Sequence, residues 1–428
     1  MAVPEVVIIG GGFGGLFAAR QLGNVPVNVT LIDRRNFHLF QALLYQVATG
    51  QLSPGNIAAP LRAILKRQRN TRVVLGKVTH IDVPGRRVHL EDGESLPYDT
   101  LIVAAGARHH YFGHPEWESV APGLKTVEDA TEIRRRILMA FEKAERTVDE
   151  EEKKRCLTFL VVGAGPTGVE MAGAISELAR HTLARNFRRI DPARARVLLI
   201  EGADRVLPTY PDDLSAKAER SLKRLGVEVW KKSLVTNIQD GRVTIQKPDG
   251  VELLPSETII WAAGVQASSL GKILAEATGA ALDRAGRVAV QPDLTLPGHP
   301  EIIVIGDMAI CQIDGKPLPG IAPVAMQQGA YAANLIRKRI RGEAMQPFKF
   351  RDRGMMATIG RAAAVGVVFG VRISGWFAWL AWLFIHLLFL IEFENRLLVL
   401  TQWAWNYFTR NRSARLITGD QQVTGAGY

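Results

Sequence analysis

The sequence carries one local pattern twice: an apolar strand, a glycine-spaced turn, a helix start and, further on, an acid that ends a second apolar strand. The first copy is Val6-Val7-Ile8-Ile9-Gly10-Gly11-Gly12-Phe13-Gly14-Gly15, answered by Asp33 after Val29-Thr30-Leu31-Ile32. The second is Phe159-Leu160-Val161-Val162-Gly163-Ala164-Gly165-Pro166-Thr167-Gly168, answered by Glu201 after Val197-Leu198-Leu199-Ile200. A strand, a G-x-G-x-x-G turn and a helix in that order aim backbone N–H groups and the positive helix end at one point, which suits a pyrophosphate. Glycine turns alone are weak evidence, but here each has its strand before it and its acid after it. The repeat also extends further, because Thr100-Leu101-Ile102-Val103-Ala104-Ala105-Gly106 follows the first turn about as closely as Thr258-Ile259-Ile260-Trp261-Ala262-Ala263-Gly264 follows the second. One dinucleotide site fits a dehydrogenase; two fit a protein that passes electrons from one cofactor to another.

A chain of 428 residues exceeds what one core usually holds. The pattern predicts an α/β protein of two Rossmann-like dinucleotide-binding domains, the second inserted in the first, followed by a C-terminal helical segment. Cys156 and Cys311 stand far apart and form no C-x-x-C pair, so neither a disulfide framework, a metal site nor a redox dithiol is expected. The first strand begins just after Met1 with no room for a signal peptide, which predicts nucleotide domains that stay in the cytoplasm.

The net charge is +11, and from Arg337 to Tyr428 there are 13 Lys/Arg against 5 Asp/Glu. Nucleic acid is the first partner a basic chain suggests. It is set aside because the same region holds the longest apolar run, the 16 residues Trp376 to Ile391, broken only by His386. That run is shorter than the ~20 residues that cross a bilayer, and its tryptophans suit the headgroup level. In the next segment Gln402, Asn406 and Arg410 recur every fourth residue as a polar stripe, and Arg410, Arg412 and Arg415 are expected to meet anionic lipid. Residues 376–415 therefore read as a helix pair lying in the membrane interface, with a buried core helix or a dimer contact as the alternative. Removing the chain from Gly375 onward is expected to abolish membrane binding and spare electron transfer from the nucleotide domains to a soluble dye. Glu392 and Glu394 fall where an interfacial helix favours cations, and the sequence offers no account of them.

Four regions follow: residues 1–112 and 285–345 as the two pieces of the first nucleotide domain, 113–284 as the second with a surface connector helix over Thr131–Lys154, and 346–428 as the tail. Within the return segment, Glu301-Ile302-Ile303-Val304-Ile305-Gly306-Asp307 ends a strand on Gly-Asp. There Gly306 allows close backbone approach, and Asp307 accepts from a ribityl hydroxyl when a flavin dinucleotide lies in the first domain. Asp33 and Glu201 sit where a carboxylate binds adenosine ribose hydroxyls. Glu201 would repel a 2′-phosphate and favour NADH over NADPH, although Arg205 is near.

Longer phrases narrow the reading. Leu31 to Gly50 (Leu-Ile-Asp-Arg-Arg-Asn-Phe-His-Leu-Phe-Gln-Ala-Leu-Leu-Tyr-Gln-Val-Ala-Thr-Gly), Ala121 to Ala130 and Pro319 to Gly329 make the chain resemble the type II NADH dehydrogenases, single-subunit NADH:quinone oxidoreductases of the two-dinucleotide-binding-domain flavoproteins that do not pump protons. The resemblance implies FAD held at Gly10, Gly12, Gly15, Asp33, Gln46, Gly106, Gly306 and Asp307, with NADH at Gly163, Gly165, Gly168, Glu201 and Gly264. It implies a membrane quinone as acceptor, a peripheral or monotopic place on the cytoplasmic face of the inner membrane, and a homodimer. It assigns Glu170 to the nicotinamide near the flavin, Thr49 to the isoalloxazine, and Gln46 and Gln327 to flavin or quinone. The family's Ala-Gln-x-x-x-Gln reads Ala322-Pro323-Val324-Ala325-Met326-Gln327 here, so the first glutamine is missing. His38 and His386 are potential proton relays, although lone histidines are more often packed. Sulfide:quinone oxidoreductases need a cysteine pair absent here, a soluble NAD(P)H–ferredoxin reductase leaves the tail unexplained, and a non-catalytic membrane-bound redox sensor would bind both nucleotides without turnover.

Overall fold

The computed structural model describes residues 3–418; the end of the expected tail region, 419–428, lies outside the described residues. The chain divides into two compact units. One comprises residues 3–39, 58–108 and 265–351, the other 40–57, 109–264 and 352–418.

The first unit is built on a six-stranded sheet in the order Thr295–Leu296, His299–Val304, Thr100–Val103, Glu5–Ile9, Asn28–Asp33, Thr71–Leu75. Glu5–Ile9 pairs in parallel on both sides, Val6 with Val29 and with Thr100, so its run of valine and isoleucine is buried on both faces. Helix Phe13–Gln21 packs on helix Ala322–Ile340 at a glycine crossing. A Cβ on Gly329 would stand 2.2 Å from the Gly14 carbonyl oxygen, a distance only glycine permits.

The second unit repeats the plan with four parallel strands, in the order Val227–Trp230, Arg196–Ile200, Thr158–Val162, Thr258–Trp261. The segment read as a surface connector is instead core-packing. A Thr126–Asp129 capping box starts helix Val127–Arg146, which buries Ile133, Ile137 and Phe141, the last 5.2 Å from the Phe159 ring. That i, i+4, i+8 stripe was present in the sequence but diluted by charge. Strands Gly354–Gly360, Ala363–Val368 and Val371–Gly375 form an antiparallel sheet that packs on helix Pro166–Glu177, where a Cβ on Gly173 would stand 2.1 Å from the Ile359 carbonyl oxygen.

Two helices end the described chain, Trp376–Phe389 and Phe393–Thr409. Both carry apolar side chains on the exposed side as well as the buried one. Ala378, Trp382, Val399 and Trp403 are buried, whereas Phe377 is 75% exposed, Phe384 64%, Trp405 63% and Phe408 81%. Glu392 is the N-cap residue of the second helix and Glu394 falls in its first turn, where the macrodipole favours an acid, and this accounts for the two acids that the sequence left unexplained. Among the described residues no helix is long and apolar enough to cross a membrane.

Candidate functional site

The two glycine turns close in the same way. Gly10 (φ +102°) and Gly163 (φ +98°) lie in the region that favours glycine. A Cβ on Gly15 or Gly168 would fall 1.8 Å from the carbonyl oxygen of Gly10 or Gly163, so the helix is drawn onto the strand end at both places. Around Gly12 and Gly165 nothing lies within 4 Å of a built Cβ, which leaves open space at the middle glycine. Neither helix start has a side-chain cap.

The acids complete the turns. Asp33 accepts from the Gly11 N–H at 2.6 Å and the Arg35 N–H at 2.7 Å; Glu201 accepts from the Ala164 N–H at 2.6 Å and the Ala203 N–H at 2.8 Å. Burial pushes the Asp33 carboxyl upward, and the two N–H bonds pull against it. Arg205 is engaged by Asp212 and by the Pro208 carbonyl.

Gly306 has φ +71° and opens a short 3-10 turn that includes Asp307. Its N–H donates to Gln328 Oε1 at 2.7 Å. Gln328 is buried and was missed in the sequence; its signal was its place on the apolar face of Ala322–Ile340, with Val324, Ala325 and Ala332. Gln327, its neighbour, is bonded to the backbone N–H and carbonyl of Arg351. His38 is packed, not free: one ring nitrogen lies 3.0 Å from the Gly11 carbonyl, and the ring meets Phe13 edge-on. Gly106 (φ +68°) ends its strand in open space, whereas Gly264 (φ +72°) lies against the Phe112 ring.

The second unit encloses a cavity of about 440 Å³ whose wall includes Tyr45, Gln46, Glu170, Thr358, Trp382 and Trp403. A hydrogen-bonded chain runs along it. Trp403 Nε1 donates to Gln46 Oε1 at 2.7 Å, Gln46 Nε2 donates to the Tyr45 hydroxyl at 3.0 Å, that hydroxyl lies 3.0 Å from Thr358 Oγ1, and the Thr358 N–H donates to Glu170 Oε1 at 3.3 Å. Enclosure by the surrounding protein pushes the Glu170 carboxyl up to about 8, with Thr358 pulling it back. Burial also raises the Tyr45 phenol, which keeps its proton. Thr49 is buried at the end of helix Leu44–Ala48, and its hydroxyl donates to the Tyr45 carbonyl at 2.8 Å, leaving its lone pairs as acceptors. Of the residues in this wall the sequence singled out Gln46 and Glu170, while Thr49 lies behind it; it had no means of finding Tyr45, Thr358 or Trp403, whose bonds span up to 357 residues.

The tail departs most from expectation. Of the stripe of Gln402, Asn406 and Arg410, the last two line the cavity wall. Arg412, expected to meet lipid, is 4% exposed and donates to the carbonyls of Thr49 and Ala174 and to Glu177. A segment with a buried arginine and a fully buried Trp382 belongs to the core of the unit, so the expectation of a dispensable anchor gives way. His386 stacks on Trp382 at 4.1 Å, its Nδ1–H donates to the Trp382 carbonyl at 2.7 Å, and burial lowers it to about 4, so it is neutral at ordinary pH. Cys156 is buried, its thiol pushed up to about 12 by burial, and Cys311 is buried also.

Residues 4–329 match the family model described as pyridine nucleotide-disulphide oxidoreductase. The type II NADH:quinone oxidoreductase Ndh of Mycobacterium tuberculosis is 48% identical over 98% of this chain and 91% of its own length. That of Staphylococcus haemolyticus is 30% identical over 87% and 91%. Among solved structures, NDH2 of Plasmodium falciparum in complex with NADH has a TM-score of 0.87 at 20% identity, covering 98% of this chain and 100% of that one. The sulfide:quinone oxidoreductase of Aquifex aeolicus, at 18% identity and a TM-score of 0.67 over 96% and 93%, shares the fold. With its two acid-closed glycine turns and this degree of identity, the chain belongs to the type II NADH:quinone oxidoreductases.

Proposed function

We propose that this enzyme takes electrons from NADH, holds FAD as its resident cofactor and reduces a membrane quinone without pumping protons. The observation that carries the reading is the paired glycine turns together with a cavity walled by aromatic and ionisable side chains. FAD fits the first unit. Gly10 and Gly15 shape the turn, the space at Gly12 admits a pyrophosphate, Asp33 retains lone pairs for ribose hydroxyls, and the Gly306 turn, fixed by its N–H to Gln328, carries the Asp307 carboxylate. A bound flavin supplies two-electron transfer between a nicotinamide and a quinone. In the second unit Gly163, Gly165, Gly168 and Glu201 are assigned to NADH, and the engagement of Arg205 by Asp212 leaves Glu201 to discriminate against a 2′-phosphate.

The quinone is assigned to the cavity, with Trp382, Trp403 and Tyr407 as its apolar wall. Glu170, protonated near neutrality, and the Tyr45 hydroxyl are proton-bearing groups there. The exposed apolar faces of the two tail helices support docking on the cytoplasmic leaflet of the inner membrane, because apolar residues on both sides suit a helix with protein on one side and lipid on the other. The same faces are the proposed surface for a homodimer. Gly106, Gly264, Thr49 and Gln46 keep the roles that the family resemblance gives them, and Gln327, which does not border this cavity, keeps only its role toward the flavin.

The test is a stopped-flow trace of the purified protein. NADH should bleach the flavin absorbance and quinone should restore it. Bleaching that only a ferredoxin relieves, or no turnover at all, would overturn the assignment.

A further inference from the structure

The segment from Gln46 to Gln51 is fastened to the tail along its whole length. Trp403 Nε1 bonds the Gln46 side chain at 2.7 Å, Arg412 Nη1 donates to the Thr49 carbonyl at 3.3 Å, the Ala414 N–H donates to the Gly50 carbonyl at 3.2 Å, and Asn406 Nδ2 donates to the Gln51 carbonyl at 3.4 Å. Gly50 itself has φ +70°, and a Cβ there would meet Arg415 Cγ at 3.0 Å and the Ala414 carbonyl oxygen at 3.3 Å, so tail and turn are in close contact.

Arg412 is the centre of this fastening. Its guanidinium also donates to the Ala174 carbonyl at 3.0 Å and to Glu177 Oε2 at 3.4 Å, both on helix Pro166–Glu177, the helix that carries Glu170. A buried ion pair is a poor way to gain stability, because desolvation offsets most of the attraction and an apolar pair of like volume packs as well. What a planar fork supplies that an apolar residue cannot is three acceptors held at fixed relative positions.

We propose that Arg412 is a positioning residue for the quinone cavity. It ties the Thr49 turn to the Glu170 helix and so sets the spacing of Gln46 and Tyr45 on one wall against Glu170 on the other. The inference rests on the assignment of the quinone to that cavity. No step of the chemistry passes through Arg412; it acts through the groups it holds.

Three tryptophans line the cavity, Trp379, Trp382 and Trp403, and they provide a readout independent of turnover. Decylubiquinone is titrated into the full-length holoenzyme while tryptophan fluorescence is followed. The parent should show saturable quenching. R412M/E177Q, which removes both charges and leaves no unpaired carboxylate, should keep cooperative unfolding and weaken the quench-derived Kd at least about tenfold, with the quinone KM rising more than kcat falls. R412K keeps the charge and loses the fork, and should bind with intermediate strength; it carries the test if the double variant does not fold. Parent-like Kd in a folded R412M/E177Q, or in R412K when only that folds, overturns the positioning role and leaves the cavity assignment standing. Absence of saturable quenching in the parent overturns both.

Discussion

Replacing Glu170 by glutamine should make the protein more stable, and increasingly so as pH rises. The carboxyl has an ordinary value of 4.5 and is pushed up to about 8 by enclosure in the cavity wall. Between those values the unfolded chain carries it ionised and the folded protein keeps it protonated, so the folded state binds the extra proton. Stability is therefore fully present below about pH 4.5 and is lost progressively as pH climbs toward 8. At about 1.36 kcal/mol per pH unit the loss reaches at most about 5 kcal/mol, and water entering the cavity reduces it to about 3 kcal/mol. Glutamine keeps an acceptor for the Thr358 N–H and has no proton to lose. The assay is urea unfolding of parent and E170Q holoenzyme at pH 5, 6, 7 and 8. The stability difference should be near zero at pH 5 and favour the variant by about 2–3 kcal/mol at pH 8. A difference that does not change with pH would refute the claim that Glu170 is a protonated acid in the resting protein. Turnover with quinone should fall in the same variant while the flavin stays bound; colourless purified protein would contradict that.

Gly168→Ala puts a methyl 1.8 Å from the Gly163 carbonyl oxygen, an overlap worth at least about 1–3 kcal/mol, so the NADH Kd should rise tenfold or more while flavin content holds; Gly15→Ala should instead yield apoprotein. Absorbance of the purified variants and NADH titration separate the two outcomes, and unchanged behaviour of either would count against its cassette. NADH should be preferred over NADPH at least tenfold in kcat/KM, and equal use would show that Glu201 does not select. Converting Phe377, Phe384 and Phe408 to serine should release the protein from vesicles without unfolding it, since all three are exposed, whereas truncation at Gly375 should destroy the cavity and lower dye reduction as well. Retained vesicle binding by the triple variant would place the lipid contact elsewhere.

Local geometry was readable from the chain because it depends on residues close together. Gly10, Gly15 and Asp33 announce their turn by spacing together with the strand before and the acid after, since a Cβ at Gly15 would fall 1.8 Å from the Gly10 carbonyl oxygen and the acid at the next strand end reaches the turn N–H. The cavity was only half legible. Glu170 and Gln46 stood out by resemblance, but Thr358 and Trp403 acquire meaning from partners 188 and 357 residues away. In the tail one cation was misplaced. Arg412 was expected at the lipid and is buried, and Asn406 and Arg410 of the polar stripe border the cavity, because the partners that draw them in lie far away in the sequence. Gln327 and Gln328 show the same limit, since adjacent helix positions lie about 100° apart and the one facing inward is the one that holds Gly306.

The repeat supplies its own control for what the fold needs. The two cassettes agree wherever backbone geometry dictates the residue: a glycine at positive φ, a glycine against its carbonyl, an acid accepting the second N–H of the turn. They diverge just beyond the last glycine, where at the second position the first copy has Phe17 and the second has Glu170. A turn and helix that form with an apolar ring at that position have no structural need of a carboxyl. In the second copy the acid is enclosed enough to raise its pKa to about 8, which costs stability above pH 5. A position that is neutral for folding in one copy and costly in the other is where the two domains have separated in task, and the cavity bordered by Glu170 is where that task is to be sought.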